Sequence, residues 1–344
     1  MAHVQWWGRV FQATLGVRIF FVISGFLITS LLLGEAARAG RPSLTRFYVR
    51  RVLRIFPVYY LFAAVTAVLV FSHLYTEEWS SWLGTLTFTR NMIGRGQSVT
   101  VHFWSVSVEE QFYLLWPITL VALSLWRRVR LASVILLAPV VIAPLLRAGV
   151  IHAPPGSSVL VRLLSGDAIG LHADALAIGC LGAFLSARRP QWVSRVCTRA
   201  TLAGAVAGLV ALAAWFEFGR AAQAVRYGVA PGLESLLILV AIYGSIERQT
   251  GAMYRVLNAA PVVWLGRLSY SLYVWQQLFL GHSARAPLAD LAILDWRVWW
   301  LTALAAAALS YYVVERPMLA LKDRLAPPSR AVLSDMLRRA GGVA

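Results

Sequence analysis

The sequence is poor in charged residues. Only 14% of its 344 residues are Asp, Glu, Lys or Arg, whereas charged residues make up about 25% of a soluble globular domain. Hydrophobic residues reach 59%, and the mean hydropathy is +0.67. This composition excludes a soluble enzyme, a disordered tail and a fibrous repeat, and it predicts a polytopic membrane protein. The 14 Trp residues suit a chain that crosses the membrane–water interface many times.

Acidic residues, lysine and cysteine are also scarce. The chain has 15 Asp and Glu against 32 basic residues, which gives a net charge of +17, and Lys322 is its single lysine. Such an excess can serve a nucleic-acid partner, but its distribution between the loops favours a membrane topology, and no nucleic-acid partner is expected. The two cysteines, Cys180 and Cys197, are too few for a disulfide framework. We expect both to be free thiols, because one lies in an apolar run and the other in a basic loop.

Apolar stretches that approach the roughly 20 residues needed for a transmembrane helix recur along the chain. Nine candidates lie near 15–33, 55–72, 103–125, 131–150, 168–187, 201–217, 230–246, 262–281 and 297–314. A weaker patch near 79–93 is interrupted by polar residues, and its pattern favours an interfacial or re-entrant segment. The predicted fold is therefore all-α, a polytopic transmembrane helix bundle of about nine spans.

Successive loops alternate in their content of basic residues. The loops 34–54, 127–130, 188–199, 247–261 and 316–344 hold 21 Arg and Lys, and the loops 73–102, 151–167, 218–229 and 282–296 hold six. Cytoplasmic loops of membrane proteins are enriched in Arg and Lys. We therefore expect a multi-pass protein of the cell membrane in which the first set of loops, including the C-terminus, faces the cytoplasm.

The expected domain organisation is an integral-membrane domain, residues 1–325, followed by a basic cytoplasmic tail, residues 326–344. Nine spans with a cytoplasmic C-terminus place the N-terminus outside. Residues 1–12 nevertheless contain neither a signal peptide nor a complete span. We expect that a preceding segment is missing, either because the start codon was assigned late or because the chain is a fragment.

Four arginines crowd the beginning of the second predicted span, since Arg46, Arg50, Arg51 and Arg54 lie within nine residues. On a helix, Arg50 and Arg54 are about one turn apart. One interpretation is ordinary anchoring by positive charge at the cytoplasmic face. The other is a site for an anionic, phosphate-bearing ligand, which the planar and permanently charged guanidinium group binds well. The residues alone leave both interpretations open.

Two adjacent carboxylates, Glu109 and Glu110, stand near the outer end of the apolar run 103–125. Ionisable residues inside spans are costly, so they are functional candidates by default. Because successive helix residues point about 100° apart, at most one of the two is expected to reach a central cavity, while the other pairs with a neighbouring helix. Such a glutamate could act as a base, orient a histidine or neutralise an arginine.

Other polar residues lie within or beside the predicted spans. Asp174 is expected to pair with an arginine of another span. Ser24 and Gly25 form a small pair that would let another helix approach closely, and for Ser24 packing is favoured over chemistry. Residues 264–277 mix aromatic, hydroxyl and amide side chains and are expected to line a cavity. Glu315 is expected to form an ion pair at a helix end.

Histidine is the usual base near neutral pH. Of the six histidines, three fall in predicted outer loops and are expected to be solvated, two border spans, and His3 precedes the first apolar run. The three solvated ones are His73, His152 and His282, and the two at span borders are His102 and His172. The sequence contains no metal-ligand spacing, nucleotide-binding loop or Ser-His-Asp motif.

Taken in order, these stretches resemble the acyltransferase-3 family of integral-membrane acyltransferases, which O-acylate sugars and other hydroxyl compounds. The matching stretches are 16–29, 47–60, 104–117, 174–179, 264–275 and 314–317. The most specific of them reads WSVSVEEQFY at residues 104–113, and the ordered set covers nearly the whole chain. The resemblance implies a ten-helix bundle, one helix more than the nine predicted here.

The resemblance also implies roles for individual residues. His3 best matches a histidine regarded as catalytic in the first helix of the family, and the resemblance implies that most of that helix, with its arginine, would precede Met1. Arg51 and Arg54 match the arginine motif of the family, with acyl-CoA as the implied donor. The site residues expected from the pattern and the resemblance are His3, Glu109 and Glu110 as catalytic residues, Arg50, Arg51 and Arg54 for acyl-CoA, and Trp104, Asp174, Tyr270 and Tyr273 for the substrate.

Two positions depart from the family pattern. Arg18 stands where the family often has Asp, and Gln276 or Gln277 stands where it often has His. Both departures change the polar network around them, while the main motifs are retained.

We expect an O-acyltransferase that moves an acyl group, acetyl in the first instance, from acyl-CoA to a hydroxyl of a sugar, an envelope glycan or a glycosylated metabolite. His3 would act as the base, and Glu109 or Glu110 would orient or charge-balance the site. Acyl-CoA is then a co-substrate, no permanently bound cofactor or metal is expected, and the other partners are membrane lipid and the carbohydrate acceptor.

Two alternatives stay open at this point. One is a transporter or flippase for a lipid-linked sugar, which intramembrane Arg and Glu would also suit, although the sequence shows no inverted repeat. The other is an inactive protein or structural remnant, which the lack of the first helix would favour.

Overall fold

The structure is a computed structural model that describes residues 13–93, 98–147, 172–218, 224–247, 250–280 and 298–326. The helices are α1 (Ala13–Ala39), α2 (Leu44–Phe71), α3 (Trp79–Leu86), α4 (Phe103–Ala122), α5 (Val129–Arg147), α6 (Ala173–Arg188), α7 (Pro190–Val196), α8 (Arg199–Phe218), α9 (Ala230–Glu247), α10 (Ala252–Leu257), α11 (Ala260–Phe279), α12 (Trp299–Ser310) and α13 (Arg316–Leu325), with π-helical segments at Ala224–Val229 and Tyr311–Glu315. All regular structure in the described ranges is helical, which confirms the predicted all-α class.

Each of the nine predicted spans contains a helix, but only some of these helices are long and apolar enough to cross a membrane. Among the described residues, four qualify: Leu15–Ala39, Leu44–Phe71, Val129–Arg147 and Ala230–Glu247. The pair Pro190–Val196 and Arg199–Trp215, bent by 71°, makes a fifth if it is a single span. α6 with 16 residues and α12 with 12 are shorter than the roughly 20 required. α4 and α11 reach 20 residues but carry charged and amide groups, so the count of nine spans stays a prediction.

The described helices form two compact units that alternate along the sequence. The first unit is drawn from the stretch that ends at Pro42 and from Ser105–Asn258, and the second from Ser43–Trp104 and the stretch that begins at Ala259. α4 therefore begins in the second unit and continues in the first.

In the first unit, α1 and α6 approach each other at two glycines. A Cβ atom on Gly25 would lie 2.1 Å from the carbonyl oxygen of Leu176, and one on Gly179 would lie 2.2 Å from the carbonyl oxygen of Val22. Any side chain at either position would collide with backbone. The close helix approach expected at Gly25 is confirmed, and it depends on glycine in both helices.

In the second unit, the weak apolar patch near 79–93 turns back along α2. Tyr59 Oη donates to the carbonyl of Thr85 over 2.6 Å, and the Phe88 ring stacks on Phe56 with centroids 5.2 Å apart. Tyr59 and Phe56 lie twelve and fifteen residues before the C-terminal end of α2, which corresponds to about 18–22 Å along the helix axis. This depth favours a re-entrant segment over an interfacial one.

Buried polar groups hold the same segment to the loop before α4. Arg90 Nη2 donates to Ser98 Oγ over 3.1 Å, and the backbone N–H of Thr100 donates to Glu77 Oε2 over 3.2 Å. These two bonds join the segment and the residues just before it to the loop that precedes α4.

The glycine contact between α1 and α6 makes a direct prediction. Gly179→Ala should lower the free energy of unfolding by about 1–3 kcal/mol, because the new methyl group overpacks against the Val22 carbonyl. Gly204→Ala is the matched control, since a Cβ atom there would have nothing within 4 Å. The measurement is the thermal midpoint of both variants in detergent, and equal midpoints would contradict the close packing.

Candidate active site

Four charged side chains from four helices of the first unit meet in its interior. Arg147 on α5 binds Asp174 on α6 through both Nη atoms, at 3.0 Å to Oδ1 and 2.6 Å to Oδ2. Arg18 on α1 lies 3.6 Å from Asp174 Oδ2, and its Nε lies 3.2 Å from Glu234 Oε2 on α9. The Asp174 side chain has no exposed surface. Two positive and two negative charges thus compensate each other in what we call the charge cluster.

The two arginines of the charge cluster also bind the backbone around the start of α9. Arg18 Nη1 donates to the carbonyl of Pro231 over 3.1 Å and lies 3.4 Å from Ser235 Oγ. Arg147 Nη2 donates to the carbonyl of Gly228 over 3.3 Å, in the π-helical segment that precedes α9. These bonds satisfy several of the donors that a buried guanidinium group presents.

The predicted arginine partner of Asp174 is confirmed, and the carboxylate has two partners instead of one. Contact between Asp174 and a substrate stays a prediction, and both carboxylate oxygens already face guanidinium groups. Arg18 is accommodated although the family often has Asp at this position, because Glu234 supplies a second negative charge beside it.

On α4, Glu109 faces α1. Ser24 Oγ donates to Glu109 Oε1, and Tyr113 Oη donates to Ser24 Oγ over 2.8 Å. All three side chains are buried, and Glu109 is only 2% exposed. Glu110 is half-buried, as expected for neighbours that point about 100° apart on a helix. Packing alone does not account for Ser24, because Gly25 makes the close helix contact while Ser24 joins two polar groups of α4.

In the second unit, the predicted arginine site lies in the N-terminal part of α2. Arg50 and Arg51 are half-buried and Arg54 is exposed. Arg54 lies near enough to Glu315 for the two charges to attract each other, and Glu315 Oε2 accepts a hydrogen bond from Ser271 Oγ over 2.7 Å. Glu315 therefore connects its segment with α11 and α2, instead of only closing a helix end as the sequence suggests.

The hydroxyl groups of α11 bind neighbouring backbone in the second unit. Tyr270 Oη donates to the carbonyl of Ile55 over 2.8 Å, and Tyr273 Oη donates to the carbonyl of His102 over 2.6 Å. His102 Nε2 lies 3.1 Å from the carbonyl oxygen of Val274, so His102 and α11 are joined twice. Burial lowers the pKa of His102 to about 3, and the imidazole is neutral at physiological pH. A role for Tyr270 and Tyr273 in lining a cavity stays a prediction.

The expected site residues are divided between the two units. Glu109, Glu110 and Asp174 belong to the first unit, and Arg50, Arg51, Arg54, Trp104, Tyr270 and Tyr273 belong to the second. Trp104 is half-buried near the start of α4. His3 and the tail beyond residue 326 lie outside the described residues.

Comparison with known proteins identifies the fold family. Residues 1–316, nearly the whole chain, match the family described as an acyltransferase domain. The chain belongs to the acyltransferase-3 family. The match includes the charge cluster, the Ser24–Glu109 contact and the arginines of α2, and it confirms the resemblance seen in the sequence motifs.

Curated relatives in this family are O-acetyltransferases. O-acetyltransferase OatA of Staphylococcus aureus is 26% identical over 298 residues, which are 79% of this chain and 46% of the relative. YrhL of Bacillus subtilis, provisionally named a peptidoglycan O-acetyltransferase, is 28% identical over 334 residues, 88% of this chain and 50% of the relative. Peptidoglycan O-acetyltransferase OatA of Listeria monocytogenes is 27% identical over 287 residues, 76% and 44% of the two chains. The chain thus spans about half the length of these relatives. No solved structure matches it.

Sequence reasoning missed several residues of the charge cluster and of the Ser24 contact. Arg147 and Glu234 were not singled out, although each is a charged residue inside a predicted span and must therefore have a partner. Tyr113 lies one helical turn after Glu109, which is the signal that could have grouped the two. The bond between Tyr113 and Ser24 had no sequence signal, because it depends on how two distant helices pack.

The charge cluster predicts a large effect at one carboxylate. Asp174→Ala should cost about 3–5 kcal/mol of folding free energy, because it leaves two buried guanidinium groups with a single carboxylate. Asp323→Ala is the control, since the exposed Lys322–Asp323 pair should be worth less than about 1 kcal/mol. Thermal midpoints in detergent compare the two variants. An Asp174→Ala protein of unchanged stability with weakened substrate binding would contradict the structural role.

Proposed function

We propose that the protein is a multi-pass O-acyltransferase of the cell membrane. It moves an acyl group, acetyl in the first instance, from acyl-CoA in the cytoplasm to a hydroxyl of a sugar in an envelope glycan, a lipid-linked sugar or a glycosylated metabolite. The observation that carries this proposal is the match of residues 1–316 to the acyltransferase family, with the arginine-rich start of α2 inside the matched region. About nine spans and a cytoplasmic C-terminus belong to the same proposal.

The arginines of α2 support an acyl-CoA donor. Four arginines lie within nine residues of a loop and helix that the distribution of basic residues predicts to be cytoplasmic. Guanidinium groups bind phosphate oxygens through charge-assisted and often bidentate hydrogen bonds, and CoA carries several phosphate groups. We assign Arg51 and Arg54 to these phosphates, with Arg50 as a further contact one turn from Arg54.

The relatives support a carbohydrate acceptor. Two of those compared are peptidoglycan O-acetyltransferases by name, one of them provisionally, and peptidoglycan is a sugar polymer of the cell envelope. Because the chain spans about half the length of these relatives, the acceptor is proposed at the level of a sugar hydroxyl. Trp104, Tyr270 and Tyr273, all in the second unit, are the proposed acceptor contacts, while both carboxylate oxygens of Asp174 stay with the guanidinium groups of the charge cluster.

The chemistry requires a base, an oriented acceptor and a thiolate leaving group. The acceptor oxygen loses its proton and forms an ester bond with the acyl carbon, while the thioester C–S bond breaks and CoA leaves. His3 is the proposed base, and Glu109 or Glu110 orients or charge-balances the site. The competing transporter would move a lipid-linked sugar without consuming acyl-CoA, so thiol release separates the two functions.

The proposed donor site predicts the effect of arginine substitutions. Membranes carrying the protein and supplied with envelope glycans should release free thiol from acetyl-CoA. Arg51→Ala and Arg54→Ala should raise the KM for acetyl-CoA by about tenfold or more, because each removes charge-assisted bonds to phosphate. Arg130→Ala is the matched control, an exposed arginine in another predicted cytoplasmic loop.

Three outcomes separate the possibilities. Thiol release with a KM that rises in both α2 variants and not in the control supports the donor site, and loss of release in His3→Ala would support His3 as the base. An unchanged KM in both α2 variants would remove the arginines from donor binding. No thiol release by the unaltered protein would contradict the acyl-CoA donor and favour the transporter.

A further inference from the structure

Ser24 lies in the middle of a directional chain of hydrogen bonds between α1 and α4. Tyr113 Oη donates to Ser24 Oγ over 2.8 Å, and Ser24 Oγ donates its only hydroxyl proton to Glu109 Oε1. Tyr113 and Ser24 therefore both donate in the same direction, toward the carboxylate of Glu109. We call these three residues the Tyr113–Ser24–Glu109 chain.

A second hydrogen bond between the same two helices provides a comparison, because it involves only neutral side chains. Trp116 Nε1 on α4 donates to Thr29 Oγ1 on α1 over 2.9 Å, and both residues are buried. That bond joins the helices with neutral groups alone. An ionisable carboxylate inside a membrane protein is costly, so a tether between α1 and α4 does not require Glu109. The carboxylate at the end of the Tyr113–Ser24–Glu109 chain points to a role in holding or moving a proton.

We propose that Ser24 is a positioning residue of the acyl transfer, and that it passes a proton from Tyr113 to Glu109. This proposal rests on the proposed function, which requires a base that takes the proton of the acceptor hydroxyl. That base must give the proton up again before the next turnover. The Tyr113–Ser24–Glu109 chain is the route that receives it.

The transfer balances in protons and electrons. As the new ester C–O bond forms, the thioester C–S bond breaks and its electron pair leaves with the CoA sulfur. The base passes the acceptor proton to the oxygen of Tyr113, while the proton of Tyr113 moves to Ser24 and that of Ser24 moves to Glu109. The protons then return by the reverse steps to the base, which gives one proton to the CoA thiolate. Acyl-CoA and an alcohol thus give an ester and CoA with no net gain or loss of protons.

The test compares Ser24→Ala and Tyr113→Phe, each of which breaks the chain at a different bond, with Thr29→Val as the control. Thr29→Val removes the structural bond between the same helices and leaves the chain intact. The full-length protein is assayed for thiol release from acetyl-CoA with envelope glycans present. Both chain variants should lower kcat by about 100-fold, the usual range for a lost proton-transfer group, while the KM for acetyl-CoA stays within about twofold.

Two further readouts separate proton transfer from structure. The double variant Ser24→Ala with Tyr113→Phe should be no slower than either single variant, because both interrupt one route. The solvent deuterium isotope effect on kcat should change in the chain variants and stay unchanged in Thr29→Val. Gel filtration reports whether each variant folds. If Ser24→Ala does not fold, the kinetics of Tyr113→Phe decide whether the relay exists.

Three results would overturn the proposal. If the wild-type protein is active and Ser24→Ala is no slower than Thr29→Val, the relay is excluded while the acyltransferase function stands. Multiplicative losses in the double variant would show two independent structural effects. No thiol release by the wild-type protein would instead remove the proposed function, and the relay with it.

Discussion

Compensation of buried charge is the constraint on which the first unit depends. A carboxylate or guanidinium group taken out of water needs an opposite charge and hydrogen-bond partners close by, and removing one partner of a buried pair is strongly destabilising. Arg18, Arg147, Asp174 and Glu234 meet this need by joining α1, α5, α6 and α9. The glycine contact of α1 with α6 brings the backbones of two of these helices close enough for the cluster to form.

Nine of the described helices could be predicted from the sequence, because each contains an apolar run that has few alternatives in a membrane. Their bounds were less exact, since α2 begins at Leu44 and not near residue 55, and α7, α10 and α13 lie in stretches predicted as loops. The same reasoning identified Asp174 as a residue that needs an arginine, and Gly25 as a point of close approach. Both inferences follow from the local sequence. A charged residue in an apolar run requires an oppositely charged partner, and a glycine beside a serine permits another helix to approach closely. The prediction that Cys180 and Cys197 are free thiols is confirmed as well.

The partners of these residues could not be predicted, because they depend on how helices distant in the sequence pack together. Nothing in the sequence indicated that Arg18 would share its charge between Asp174 and Glu234, or that Ser24 would join Tyr113 to Glu109. Glu315 shows the same limit: its position suggested a helix-end ion pair, whereas its hydrogen bond is made with Ser271 of α11. Periodicity places a side chain on one face of its own helix, and the opposing surface determines what it contacts.

We propose that acyl-CoA is used at the face of the membrane where the α2 arginines lie and that the acceptor is a sugar hydroxyl. Sealed membrane vesicles of opposite orientation test it most directly, with acetyl-CoA added only to the outer solution and thiol release as the readout. Inside-out vesicles should release thiol at once, and right-side-out vesicles should do so only after permeabilisation. Equal release from intact vesicles of both orientations would contradict the use of acyl-CoA at one face of the membrane.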